Sequence, residues 1–184
     1  MRHQGTKPLT TPRLYLRRFV LKDAEDMFRN WASSPEVTRF LTWHPHASVE
    51  ESREILRQWV DDYARNETYR WAMVFKETNQ AIGSIDVVAA RDVFLTAEVG
   101  YCMGQAYWRR GLMSEALRAV IDYLCKEIGY HRIEAMYDAS NIASGKVMQK
   151  CGMKHEGIKR QGALRKDGTY ADMHLRAVLS CELP

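Results

Sequence analysis

The sequence predicts one domain of the α/β or α+β class with a partly antiparallel sheet. Three observations carry this. Stretches of apolar period two alternate along the chain with stretches of period 3.6. No Pro/Gly/Ser-rich linker, internal repeat or low-complexity tract divides it. A chain of 184 residues also suffices to bury about 70% of its unfolded surface in a single core.

The elements follow in order. Arg13 to Phe19 alternates as a strand. Asp23 is placed to cap a short helix reaching about Trp31, with Ala24, Met27, Phe28 and Trp31 apolar. Ser48, with Glu51 three residues on, reads as a capping box opening a helix to about Arg65. Its stripe is Ile55, Leu56, Trp59, Val60 and Tyr63. Tyr69 to Phe75, Ala81 to Ala90 and Phe94 to Met103 then alternate as strands. From Gly111 the period returns to helical through Leu112, Ala116, Leu117, Val120, Ile121, Leu124 and Ile128, and Gly129 stops it. Arg132 to Tyr137 is a strand and Asn141 to Lys150 a helix. Strands around Lys154–Arg160 and Met173–Cys181 end the chain, with Asp167-Gly168 as a hairpin signal.

Composition removes several classes. With 46% hydrophobic residues and 27 Lys+Arg against 23 Asp+Glu, the chain is neither disordered nor a basic nucleic-acid coat. A net charge of +4 equally suits an anionic small molecule. No apolar run follows the first charges, which predicts no signal peptide, and none approaches the roughly 18 residues that span a bilayer. Cys102, Cys125, Cys151 and Cys181 form no CxxC pair; reduced thiols in a cytoplasmic protein are expected.

Most catalytic signatures are missing: there is no GxGxxG, HExxH or GxSxG, and Ala163-Leu164 stand where a phosphate loop needs Lys and Ser/Thr. His44 and His46 offer two metal ligands without a third nearby, so a solvated loop is the better reading and no metal is expected. The informative segment runs from Ala97 to Ala116, where a strand enters a turn holding Arg109, Arg110 and Gly111 and then opens an amphipathic helix. The free N–H groups of a first helical turn favour an anion, and the two arginines add charge. Taken alone, the turn is as readily a surface loop with two solvated arginines.

A second segment, Asn141-x-x-Ser144 followed by Lys150-Cys151-Gly152-Met153 and Glu156-Gly157, lies about thirty residues on. Together the two segments resemble the GNAT N-acetyltransferase superfamily: the first its acetyl-CoA pyrophosphate loop, the second its Asn-x-x-Ser helix. Thr11-Pro12-Arg13-Leu14-x-Leu16-Arg17 and Ala97-Glu98-Val99-Gly100-Tyr101 resemble the branch with ribosomal-protein alanine and serine N-acetyltransferases. Trp108, Met113 and Met153 depart from the usual family residues. The resemblance implies a mixed, mainly antiparallel six- to seven-stranded sheet flanked by about four helices, with acetyl-CoA between splayed parallel strands ending near Met103 and Tyr137. It further implies cofactor contacts at Val99, Tyr101, Met103, Arg109, Arg110, Gly111, Leu112, Met113, Ser114, Asn141 and Ser144, and direct attack in a ternary complex without an acyl-enzyme.

Transfer to an amine needs an uncharged nitrogen. A free α-amine near pKa 8 costs about 1.4 kcal/mol to deprotonate at pH 7, a lysine near 10.4 about 4.6. Glu98 is the candidate base, sharing a strand face with small Gly100 and Cys102, with Asp86 the alternative; an ion-paired structural glutamate is the competing reading. The opposite face, Val99, Tyr101 and Met103, also reads as core. Ser144 is the candidate donor to the leaving thiolate, with a water or Tyr137 as alternatives, and Asn141 doubles as a helix cap. Lys146 and Lys150 share a helical face that solvent accounts for as well as cofactor phosphates do. Trp43 and His44, with Glu98, are candidates for the acceptor site, although Trp43 also suits pinning its loop to the core. A protein or peptide N-terminal amine is the expected acceptor, in a monomer or homodimer without nucleic-acid or membrane partners. A small-molecule amine acceptor and a silent acyl-CoA sensor are the alternatives.

Overall fold

In the computed structural model, which describes residues 1–183, eight strands form one sheet in the order β1-β2-β3-β4-β5-β6-β8-β7. They are β1 (Leu9–Thr10), β2 (Leu14–Arg17), β3 (Arg70–Phe75), β4 (Gln80–Arg91), β5 (Thr96–Met103), β6 (Arg132–Asp138), β7 (Lys154–Leu164) and β8 (Tyr170–Leu179). Neighbours are antiparallel except β5 and β6. Seven strands match the alternating stretches. The eighth, β1, has only two residues, too short to alternate.

The helices are α1 (Ala24–Met27), α2 (Pro35–Thr38), α3 (Val49–Asp62), α4 (Leu112–Tyr123) and α5 (Ile142–Lys150). Four were foreseen, and α2 is the addition: Ser34 caps it by accepting from the Val37 N–H, and Pro35 fills its first position. Asp23 does not cap α1 from outside, as the sequence suggested. A 3-10 turn begins at Leu21, and the Asp23 carboxylate reaches back to the Val20 N–H at 2.9 Å while pairing with Arg17 at 2.7 Å. Ser48 does open α3, accepting from the Glu51 N–H at 3.2 Å. Glu51 returns one residue further, to the Ala47 N–H at 2.7 Å.

The sheet separates two apolar layers. On one face α4 buries Leu112, Ala116, Leu117, Val120 and Ile121 against Trp71, Ile85, Val99 and Ile133. Each fully buried leucine or isoleucine there contributes about 1.5–3 kcal/mol. On the other face Phe19, Met27, Trp31 and Leu56 pack over Ala72, Val74 and Ala81. α4 runs on as a π-helical turn to Ile128 and stops at Gly129, whose φ of 95° places it in the left-handed region. Among the described residues no helix is long and apolar enough to cross a membrane.

Candidate active site

The parallel pair β5/β6 sets the geometry. Its pairing covers only Thr96–Glu98 against Arg132–Glu134. Beyond that rung β5 continues to Met103 held by β4, and β6 to Asp138 held by β8. The two strands part, so the backbone groups that each turns toward the other lack a ladder partner. Such edges suit an extended, amide-bearing chain.

At the far end of β5 the chain passes Gly104 and a 3-10 turn, then enters α4 through Arg109 (φ 60°) and Gly111 (φ 77°). Two left-handed residues in three turn the chain sharply enough for the helix to begin beside the parted strands. Glu115 N–H is the first to reach a helical carbonyl, that of Gly111 at 3.1 Å, which leaves the N–H groups of Leu112, Met113 and Ser114 without an intrahelical acceptor. Met113 does not fill this space, because its side chain belongs to the core. The two arginines differ. The Arg110 guanidinium lies 4.8 Å from the Phe75 ring and 3.9 Å from Glu77, whereas Arg109 is exposed on the turn.

A cavity of about 630 Å³ adjoins this turn, lined among others by Thr11, Arg13, Ser114, Arg118 and Lys150. Arg13 and Thr11 bind Glu115 there, at 2.8 and 2.6 Å. Burial acts to raise the Glu115 pKa, but these bonds outweigh it and leave it below its ordinary value. Arg118 donates to the Lys150 carbonyl at 2.5 Å, closing the end of α5. No local signal marks this cavity, because its walls join residues 10–13 to Gly111, Ser114, Glu115, Arg118 and Lys150.

α5 lines the other side of the notch. Asn141 caps it, with Oδ1 accepting from the Ser144 N–H at 3.3 Å. Gly145 faces the Tyr137 ring so closely that a Cβ would come within 2.6 Å of it. Ser144 Oγ lies 2.9 Å from the Tyr101 hydroxyl.

The carboxylates lie on the sheet's opposite face. Glu98 is half-buried and stands in register with Glu134. Glu134 is buried and paired to Arg91 and, at 2.9 Å, to Arg132. Burial and the neighbouring Glu134 charge push the Glu98 pKa up, against Arg91 and Lys159. Asp86 is opposite Gly100 on β4. Burial pushes it up to about 6, with Arg70 Nε 3.7 Å away acting against the shift. Cys102 shares this face, but burial pushes its thiol up to about 11, so it carries little thiolate at neutral pH.

Trp43 and His44 lie in the loop between α2 and α3. Trp43 packs on the α1/α3 layer, 5.2 Å from the His46 ring, while His44 is exposed. His46 is buried with Nδ1 2.8 Å from Ser52 Oγ, and burial lowers its pKa. Trp43 thus packs its loop against the apolar layer. The tip between β7 and β8 closes on this region: Lys166 donates to the Thr38 carbonyl at 2.6 Å, and Arg165 grips buried Asp138 at 2.7 and 3.0 Å.

The comparisons decide the family. An acetyltransferase (GNAT) domain model matches residues 13–154. The chain belongs to the GNAT acetyltransferase family. An uncharacterized N-acetyltransferase, p20 of Bacillus licheniformis, is 30% identical over 95% of this chain and 97% of its own length. The [ribosomal protein uS5]-alanine N-acetyltransferase of Escherichia coli is 36% identical over 88 residues, 48% of this chain and 45% of that protein. Among solved structures, a GNAT-family acetyltransferase from Bacillus anthracis superposes with TM-score 0.83 at 24% identity, covering 96% of this chain and 100% of that one. The microcin C7 self-immunity acetyltransferase MccE, solved with acetyl-CoA and AMP, superposes at 0.81 with 17% identity over 91% and 93%. The molecule is therefore a GNAT-type N-acetyltransferase, and its splayed sheet is the family's fold.

Within this GNAT chain, Glu98 lies on the last paired rung of β5 and β6, while Tyr101 on β5 joins Ser144 of α5, the helix that Asn141 caps. The contacts that the sequence reading missed, Tyr101 with Ser144 and Arg165 with Asp138, join residues 43 and 27 positions apart. The only local signal was the unexplained glycine at 145 inside a helix.

Proposed function

We propose that this GNAT enzyme moves the acetyl group of acetyl-CoA to the α-amine of a protein or peptide N-terminus, by direct attack within a ternary complex. The observation that carries the reading is the notch, with unpaired strand edges along its walls and an open helix N-terminus at its end. Three free N–H groups, the positive end of the α4 dipole and Arg109 suit a diphosphate. The β5 and β6 edges suit the amides of the pantetheine arm. Bound there, acetyl-CoA supplies a thioester carbonyl and a thiol leaving group. Its nucleotide end has room in the neighbouring cavity beside Arg118 and Lys150.

Glu98 takes the amine proton, directly or through one water. A carboxylate with a raised pKa is better matched to an amine than an ordinary one, and an α-amine makes the smaller demand. Ser144 donates to the departing sulfur. Cys102 is no rival nucleophile, since its buried thiol holds its proton; this favours direct attack over an acyl-enzyme. The relative that carries an alanine acceptor in its name supports the N-terminal assignment. Four free cysteines suit a reducing, cytoplasmic setting.

Thiol release from acetyl-CoA tests the reading, measured with peptides bearing free Ala or Ser N-termini and with polyamines, free amino acids and aminoglycosides. Release that depends on a peptide α-amine is the expected result. Preference for a small amine overturns the acceptor assignment, and acetyl-CoA binding without release on any acceptor makes the chain a sensor.

A further inference from the structure

Tyr101 projects from β5 toward α5 and meets a single residue twice. Its hydroxyl oxygen lies 3.2 Å from the Ser144 carbonyl oxygen and 2.9 Å from Ser144 Oγ, and its single proton serves one of the two at a time. Among the described residues Ser144 Oγ has no other hydrogen-bond partner. Gly145 sets this distance from the far side, because its missing Cβ lets α5 rest on the Tyr137 ring.

We infer that Tyr101 is the positioning residue for Ser144: by donating to Ser144 Oγ it leaves the serine proton to point into the notch, where the acyl sulfur is released. The inference rests on the acetyltransferase reading above. A serine inside a helix otherwise turns its proton to the carbonyl one turn back, which removes it from any ligand. Accepting from Tyr101 occupies one lone pair of Oγ and directs the serine hydrogen away from Tyr101. Moving the Tyr101 hydrogen from the Ser144 carbonyl to Ser144 Oγ needs rotation about one C–O bond, with no proton transferred and no heavy atom displaced. Tyr101 is largely enclosed, and burial raises its pKa well above the ordinary phenol range. The phenol therefore stays protonated and able to donate to Ser144 Oγ.

The test is calorimetric titration of CoA, with desulfo-CoA as control, from pH 6 to pH 10 on the wild type, Tyr101→Phe, Ser144→Ala and the double variant. A free thiol ionises near pH 8.5. Wild-type protein is expected to bind CoA about tenfold more tightly above that pH than below it, the size of one hydrogen bond to a charged group, and desulfo-CoA equally at both. Each single variant loses the gain, and the double variant loses no more than either. In turnover, Tyr101→Phe lowers kcat about tenfold and leaves the acetyl-CoA KM within about twofold, with melting temperature confirming the fold. An alkaline gain that survives in Tyr101→Phe overturns the inference alone, as does one lost in Tyr101→Phe but kept in Ser144→Ala. Wild-type protein that binds no CoA overturns the acetyltransferase reading and this inference with it.

Discussion

Glu98 and Glu134 stand opposite each other on the last paired rung between β5 and β6. Two carboxylates side by side resist joint ionisation. Glu134 is paired to Arg91 and Arg132, and burial together with the Glu134 charge raises the Glu98 pKa. The rung that ends the sheet pairing is thus also the one that tunes the candidate base.

The pH dependence of kcat/KM follows from this. A base works unprotonated, so activity rises with pH through the Glu98 pKa, which lies above the ordinary glutamate value of 4.5. Glu98→Gln is expected to lower kcat about a hundredfold and to erase that limb. Arg91 acts to lower the Glu98 pKa, so Arg91→Ala moves the limb to higher pH. A limb unmoved in both variants assigns the base elsewhere, with Asp86, at about 6, next in line.

Gly145→Ala places a Cβ within 2.6 to 2.8 Å of the Tyr137 ring. Overpacking of this kind costs about 1–3 kcal/mol, which a denaturant midpoint reads directly. Tyr137→Leu in the same chain is expected to recover part of the loss.

Most of the elements were legible because their signals are local. Gly111, Asn141 and Ser48 each mark a helix start through a cap or turn that neighbouring residues decide. The notch was not legible by periodicity. Where β5 and β6 stop pairing depends on register across a long crossover, and no residue between Glu98 and Glu134 states it. Asp23 shows the same limit on a smaller scale. Its side chain turns back to the Val20 N–H and to Arg17, because Asp23 ends a 3-10 turn, and so it caps no N–H of α1.

Gly111 has φ 77°, a region that costs a residue with a Cβ about 1–2 kcal/mol. Gly111→Ala is expected to disturb the first turn of α4 and weaken acetyl-CoA binding about tenfold by calorimetry. Arg109→Ala weakens it more than Arg110→Ala, since Arg110 already rests on Phe75, and the difference shrinks at high salt.

Arg165 tests the acceptor side. Its bond to Asp138 is the largest cause of that carboxyl's lowered pKa. A lowered carboxylate pKa contributes stability above the unfolded value and loses it as pH falls through the folded value. Arg165→Ala therefore lowers the melting temperature at pH 7, and the deficit fades as pH drops below about 3.8, the ordinary aspartate value. Arg165→Ala is also expected to raise the acceptor KM and to leave acetyl-CoA affinity unchanged by calorimetry.

The most direct measurement locates the acetyl group. A peptide with a free N-terminal alanine and an internal lysine is incubated with enzyme and acetyl-CoA, then sequenced by tandem mass spectrometry. The account predicts acetylation on the α-nitrogen, sharply reduced with Glu98→Gln. Acetylation confined to the lysine side chain, or none on the peptide while a small amine is acetylated, contradicts it.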